Sequence, residues 1–99
     1  MQEINILAVG THPEIMATIL RLLNNKPGWQ ATCASTLTEV TKLAKEQKFD
    51  MVLIGAGIND DDTLQINQTF QEIPVVLHYG GGSGLLYAEV YLALNIIPE

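Results

Sequence analysis

Four apolar segments alternate with four helix-like segments, and this alternation constrains the fold more than any other feature of the chain. The apolar segments are INILAV, WQATCAS, FDMVLIGAG and IPVVLHY, which begin at residues 4, 29, 49 and 73. Apolar residues at helical spacing follow each of them. Strands that alternate with helices form a parallel sheet covered on both faces. The sequence therefore predicts one α/β domain over residues 1–99, a three-layer α/β/α sandwich around a four-stranded parallel sheet.

Capping signals mark where the predicted helices begin. Thr11 with Glu14, and Thr36 with Glu39, have the S/T-x-x-E spacing of a capping box. Asp60–Asp62 are expected in the first turn of the third helix, where carboxylates complement the helix dipole. The segment WQATCAS alternates apolar and polar residues, which is typical of an edge strand, whereas the first and third segments are almost continuously apolar.

Composition and charge exclude several classes of function. The chain carries 11 acidic and 5 basic side chains, a formal net charge of −6, which argues against a basic surface for a nucleic-acid backbone. Its nearest basic cluster, Lys42, Lys45 and Lys48, alternates with acidic residues and indicates the solvated face of a helix. Its one cysteine, Cys33, allows neither an intramolecular disulfide nor a Cys-based metal site. No apolar segment reaches membrane-spanning length and the N-terminus has no signal-peptide pattern. We therefore expect a cytoplasmic protein with no nucleic-acid or membrane partner.

Three stretches of the sequence resemble a known family. INILAVGTHPEIMATILRLLN resembles the first strand and helix of a receiver domain, the flavodoxin-like phosphoacceptor module of bacterial response regulators. KFDMVLIGAG resembles the third strand of such a domain, and IPVVLHYGG the fourth. The resemblance covers most of the chain and implies a signalling module with strand order 2-1-3-4. A receiver has a fifth strand and a fifth helix beyond this point, so the resemblance implies a truncated version.

The groups that perform receiver chemistry do not stand at the positions where the resemblance places them. The acidic pair that holds Mg²⁺ would fall at Gly10 and Thr11, the phosphoacceptor aspartate at Gly55, and the switch hydroxyl near His78 or Tyr79. Phosphoryl transfer needs a nucleophilic oxygen and a cation that offsets the phosphate charge. The sequence therefore predicts a degenerate receiver: a non-catalytic interaction module that is not phosphorylated, with no cofactor.

A second hypothesis is a small-ligand or anion site at the carboxyl ends of the strands. The segment GGGSG follows a strand and opens a helix, a geometry in which backbone N–H groups bind phosphate. A flexible turn with Ser83 as the helix cap is the simpler explanation. The candidate residues for such a crevice are Gly10, Thr11, His12, Gly55, His78, Gly80, Gly81, Gly82 and Ser83.

His12 suggests two further alternatives. Together with His78 and Asp60–Asp62 it could form a metal site, although helix capping already explains the aspartates. It also resembles the histidine of cobalamin-binding domains, which have a D-x-H-x-x-G loop. Gly10 and Ile15 stand where that loop has its aspartate and glycine, so only the histidine and the late glycines match. We expect no resident metal or cofactor, and a cobalamin-binding-like domain stays a minor alternative.

The last helix-like segment, LLYAEVYLALNII, predicts an association surface. Its apolar residues surround the helix, and a helix that is apolar all round is buried all round, which one small sheet cannot achieve. The fourth strand should be a sheet edge, yet it has the apolar pattern of an interior strand. We expect a homodimer that docks onto a signalling protein, unless the helix covers only its own sheet. The expected interface residues are Leu85, Leu86, Val90, Leu92, Leu94, Ile96 and Ile97.

Overall fold

Four parallel strands and four helices alternate along the chain. The computed structural model describes residues 3–55, 57–78 and 83–95. The strands are β1 (Ile4–Val9), β2 (Trp29–Ala34), β3 (Met51–Ile54) and β4 (Val75–Leu77), and the helices are α1 (Pro13–Asn24), α2 (Leu37–Glu46), α3 (Asp60–Thr69) and α4 (Ser83–Leu94). The sheet has the order β2-β1-β3-β4. The predicted fold class and strand order are confirmed, with β2 and β4 at the two edges.

Helices cover both faces of the sheet. Because side chains alternate along a strand, Leu7 and Val9 of β1 face α2 and α3, while Ile6 and Ala8 face α1 and α4. Each face has its own core of buried apolar side chains. The three layers follow directly from this division.

The predicted starts of α2 and α3 are confirmed. The hydroxyl oxygen of Thr36 accepts a hydrogen bond from the N–H of Glu39 at 3.2 Å. The Glu39 carboxylate accepts in return from the N–H of Ser35 at 3.2 Å. Asn59 caps α3, and Asp60–Asp62 occupy its first turn as predicted.

The predicted capping box at the start of α1 is wrong. His12 precedes the helix, and its side chain makes no capping hydrogen bond. Pro13 lies in the first turn, where its missing N–H costs nothing. The hydroxyl of Thr11 lies instead against Gly57, in the loop that follows β3. The Thr11 side chain therefore contacts a residue distant in sequence instead of capping the helix through a bond to Glu14.

The helix α4 packs on the sheet of its own chain. Leu86 and Val90 are buried in the core that α4 shares with α1. Tyr87 and Tyr91 pack edge-on against Trp29 of β2, with ring centroids 6.1 and 5.7 Å apart. Two of the residues expected at an interface, Leu86 and Val90, therefore belong to the core of this chain.

The outward side of α4 remains apolar. Leu85 is 51% exposed and Leu92 is 82% exposed, while Leu94 is half-buried. Ile96 and Ile97, also expected at an interface, lie outside the described residues. Within the described part of the chain, no helix combines the length and apolar character needed to cross a membrane.

Leu86→Ala should destabilise the fold far more than Leu64→Ala. Deleting the buried leucine side chain removes apolar contacts and leaves a cavity, which costs about 2–5 kcal/mol. Leu64 lies on α3 and is 57% exposed, so its replacement should change the free energy of unfolding by less than about 0.5 kcal/mol. Urea unfolding followed by the fluorescence of Trp29 measures both. Equal losses would contradict the packing of α4 on the sheet.

Candidate functional site

The carboxyl ends of β1, β3 and β4 lie side by side. The N–H of Gly55 donates to the carbonyl of Val9 at 2.7 Å, and the N–H of His78 donates to the carbonyl of Ile54 at 2.8 Å. These bonds bring Gly10, Gly55 and His78 to one edge of the sheet. Three of the predicted site residues therefore share the position at which open parallel sheets usually bind ligands.

The side chain of Met16 fills the space between Gly10 and Gly55. Met16 lies near the start of α1 and is buried. Its sulfur approaches Gly10 so closely that a Cβ atom on Gly10 would overlap it. A Cβ atom on Gly55 would lie 3.5 Å from the same sulfur. Because Gly10 and Gly55 have no side chains, the thioether of Met16 fits between the two strand ends.

This packing leaves the space between the two glycines without a charged group. A carboxylate at Gly10 or Gly55 would emerge beside the Met16 sulfur, and burying an unpaired carboxylate is costly. Among the described residues, no three His, Cys, Asp or Glu side chains come together in a way that could hold a metal ion. The sequence predicts that chemistry is missing here, and the structure adds that the space is occupied.

Thr11 and His12 are exposed at the rim of this edge. Gly57 has a φ of 94°, a left-handed conformation that favours glycine. A Cβ atom on Gly57 would overlap the hydroxyl of Thr11 and lie 3.5 Å from Cδ2 of His12. The loops after β1 and β3 are therefore packed against each other. Among the described residues, His12 makes no ion pair.

His78 is buried and is bound to α4. Its Nδ1 forms a hydrogen bond with the Oε1 of Glu89. The imidazole is 6% exposed, so this predicted ligand-site residue ties the end of β4 to the middle of α4. Glu89 is not among the residues predicted for this site, yet it contacts one of them. The sequence does contain an indication of this contact. Glu89 is the one charged residue of an otherwise apolar helix, and buried charges are usually paired.

The glycine-rich candidates lie mostly outside the described residues. Gly80, Gly81 and Gly82 fall there, together with Tyr79. The helix α4 begins at Ser83, so this residue belongs to the helix and does not precede it. The anion-binding hypothesis for this loop stays a prediction.

Among the described residues, the pKa values of Cys33 and Glu39 are shifted, and both shifts have structural causes. Burial raises the pKa of the Cys33 thiol, and the negative charge of Glu39 raises it further. The thiol is therefore protonated at neutral pH and is not an activated nucleophile. The hydrogen bond from the Ser35 hydroxyl, 2.8 Å long, is the main reason that the pKa of Glu39 is lowered. This bond belongs to the cap of α2.

A groove of about 510 Å³ lies at the amino ends of β3 and β4, far from the carboxyl ends described above. It is bounded by the ends of α2 and α3, and Phe49 and Phe70 on its wall pack edge-on with ring centroids 6.3 Å apart. Lys48 and Glu72 are the charged residues of its lining. The lining therefore provides no cluster of nucleophilic or metal-binding groups.

Comparisons with known proteins agree on the fold. No protein-family model matches the sequence, and no curated protein matches it significantly. A two-component response regulator from Clostridium difficile has a TM-score of 0.77 at 14% identity, covering 94% of this chain and 97% of its own. A sensor protein from Polaromonas sp. JS666 has a TM-score of 0.75 at 12% identity, covering 93% and 96%.

The signal receiver domain of an HD domain-containing protein from Pseudomonas fluorescens Pf-5 is also similar. Its TM-score is 0.67 at 19% identity, and the match covers 97% of this chain and 73% of that one. These three likenesses establish that the chain has the fold of receiver domains. At such identities the likeness is one of fold.

Gly10→Ala should destabilise the fold because the new methyl group overlaps the Met16 sulfur. The backbone of Gly10 is not left-handed, so the strain comes from this overlap, and overpacking of this kind costs about 1–3 kcal/mol. In a Met16→Ala background the same change should cost less, since the sulfur is gone. A double-mutant cycle measured by urea unfolding gives the coupling. Strictly additive losses would contradict the contact.

Proposed function

We propose that this chain is a receiver-like interaction domain that is not phosphorylated. The receiver fold supports a role as a signalling module. The observation that carries the rest of the proposal is the position of Met16, which fills the space between Gly10 and Gly55. Mg²⁺ and a phosphoryl group need oxygen ligands and compensating charge, whereas a thioether is a soft ligand that suits neither. The domain therefore acts through its surfaces.

The ligand-binding alternative has less support in the described residues. His78 is engaged by Glu89, and Met16 occupies the space between the first two strand ends. Thr11 and His12 remain exposed at the rim, but two exposed side chains do not enclose a ligand. An interaction module accounts for both the filled strand ends and the exposed leucines of α4.

Beryllofluoride with Mg²⁺ should not bind this protein. The complex imitates an aspartyl phosphate and needs a carboxylate together with a coordinated cation, and neither is expected at the filled strand ends. In a ¹⁵N–¹H correlation spectrum, the amides of Gly10, Gly55 and His78 should keep their positions on titration. A phosphorylatable receiver domain treated in parallel is the positive control. A Mg²⁺-dependent adduct, or a phosphoryl group taken from acetyl phosphate, would overturn the proposal.

We propose a second copy of the chain as the partner. Leu85 and Leu92 are separated by seven residues, so they lie two turns apart on one side of α4. Both are exposed, and exposed apolar patches mark interaction surfaces. The nearest charge on the same helix, Glu89, is engaged by His78. A homodimer would cover this side of α4 and leave the remaining surface for a signalling protein.

Leu92→Glu should weaken the dimer, whereas Leu64→Glu should not. Both residues are exposed leucines on helices, but Leu64 lies on α3, away from the proposed surface. Sedimentation velocity at micromolar concentration should give the wild type and the Leu64 variant a mass about twice the chain mass of 10.8 kDa. The Leu92 variant should sediment as a monomer, since it would bring a carboxylate into an apolar contact. A monomeric wild type would contradict the proposed homodimer.

A further inference from the structure

Hydrogen bonds within the chain occupy two of the three outward N–H groups at the β2 edge of the sheet, while the third, that of Cys33, has no acceptor among the described residues. In a parallel sheet, every second residue of an edge strand directs its backbone N–H outward. The N–H of Trp29 donates to the carbonyl of Lys26 at 3.1 Å. The N–H of Ala31 donates to Oδ1 of Asn24 at 2.9 Å. These bonds occupy outward donors of β2, so another strand cannot use them.

The edge at β4 has outward N–H groups at Val75 and Leu77. The carbonyl of Pro74 accepts from β3 at 2.9 Å, and the N–H of His78 donates to β3 at 2.8 Å. Because inward and outward groups alternate along the strand, residues 75 and 77 direct theirs away from β3. In the described part of the chain, neither of these N–H groups has a hydrogen-bond acceptor. Within the described residues, these two donors are therefore available to a strand of another chain.

The side chains of β4 do nothing to protect the edge. Val75–Leu77 is entirely apolar, and Leu77 is 40% exposed. Proteins usually protect an edge strand with lysine, proline or a bulge, and here Pro74 only precedes the strand. The strand β2, in contrast, carries the polar residues Gln30 and Thr32. The difference between the two edges favours pairing at β4.

The exposed leucines of α4 lie next to this free edge. Glu89 sets the orientation of the helix, because its carboxylate holds His78 just beyond β4. At about 100° per residue, Leu85 and Leu92 lie roughly 40–60° around the helix from Glu89 and on the side opposite Tyr87. Tyr87 faces Trp29 at the other edge of the sheet. The leucines therefore flank β4 on the α4 face.

We propose that β4 pairs antiparallel with β4 of a second copy, which joins two four-stranded sheets into one. This inference rests on the homodimer proposed above and specifies its interface. A two-fold axis presents the same edge in both copies and runs the two strands antiparallel. Val75 exchanges N–H···O=C bonds with the partner's Leu77, and Val76 lies at the axis. The two α4 helices then lie on the same face of the joined sheet, with Leu85 and Leu92 at the seam.

Charge favours a second copy as the occupant of this edge. The chain has a formal net charge of −6, so two copies can approach closely only where their surfaces are uncharged. Among the described residues, β4 and the outward side of α4 carry one charge, that of Glu89, which His78 engages. A basic partner would be drawn instead to acidic positions such as Asp60–Asp62 at the start of α3. The apolar edge is complementary to itself.

Leu77→Pro tests the strand pairing without removing a bond to β3. Proline is tolerated on an edge strand where the missing N–H would face solvent, so the circular dichroism spectrum of the monomer should be unchanged. Leu77→Val keeps the N–H and an apolar side chain and is the matched control. By sedimentation velocity, we expect the wild type and the valine variant to be dimers. The proline variant should lose roughly tenfold or more in dimer affinity, since each copy loses a hydrogen bond at the seam.

The sedimentation results of the variants separate the strand pairing from the homodimer itself. If Leu77→Pro stays dimeric while Leu92→Glu is monomeric, α4 alone forms the dimer and the strand pairing is wrong. If the wild type is monomeric, the pairing and the homodimer are both wrong, while the beryllofluoride titration still tests the unphosphorylated state separately. Hydrogen exchange of the wild type needs no variant. The amides of Val75 and Leu77 should be protected, with protection that falls on dilution, and fast exchange at every concentration would overturn the pairing.

Discussion

The side chain of Met16 crosses from α1 to the ends of β1 and β3, and it reaches them because Gly10 has no Cβ atom. The same side chain belongs to the core between the sheet and the helices α1 and α4, so this core continues to the carboxyl edge. A phosphate or Mg²⁺ site at that edge would require charge in place of buried apolar contacts. The fold of a receiver is present, and buried side chains fill the strand ends at which the resemblance places receiver chemistry.

The core that contains Met16 lies on the face of the sheet covered by α1 and α4, and it extends to Val76 of the edge strand β4. One side of α4 buries Leu86 and Val90, and Glu89 holds His78 at the end of β4. The other side leaves Leu85 and Leu92 exposed on the β4 side of the helix, and two backbone donors of β4 have no acceptor among the described residues. A helix that packs on one side and is apolar on the other gives the small sheet a surface on which to assemble. The filled strand ends and the β4 edge are the two observations on which the proposal of a domain that acts by contact rests.

Hydrophobic spacing was sufficient to predict the fold and insufficient to predict the site. Element order depends on local periodicity, which is visible in the sequence. The strand order was implied by the resemblance to receiver domains. Side-chain placement depends on contacts between distant residues. Thr11 has the spacing of a helix cap but contacts Gly57, and the apolar stripe of α1 includes Met16 without indicating that its sulfur reaches Gly10. The uniformly apolar pattern of α4 likewise does not indicate which side packs on the sheet.

The position of the Met16 methyl group tests the central claim most directly. The chain contains three methionines, so methyl-labelled protein gives a simple spectrum in which Met16 can be assigned by substitution. The structure predicts strong nuclear Overhauser effects from the Met16 methyl protons to the backbone protons of Gly10, because the methyl carbon lies 3.3 Å from the position of a Cβ atom there. Addition of Mg²⁺ should leave them unchanged. If these effects are absent, or disappear when Mg²⁺ binds, the strand ends are open and the account of an unphosphorylated domain is contradicted.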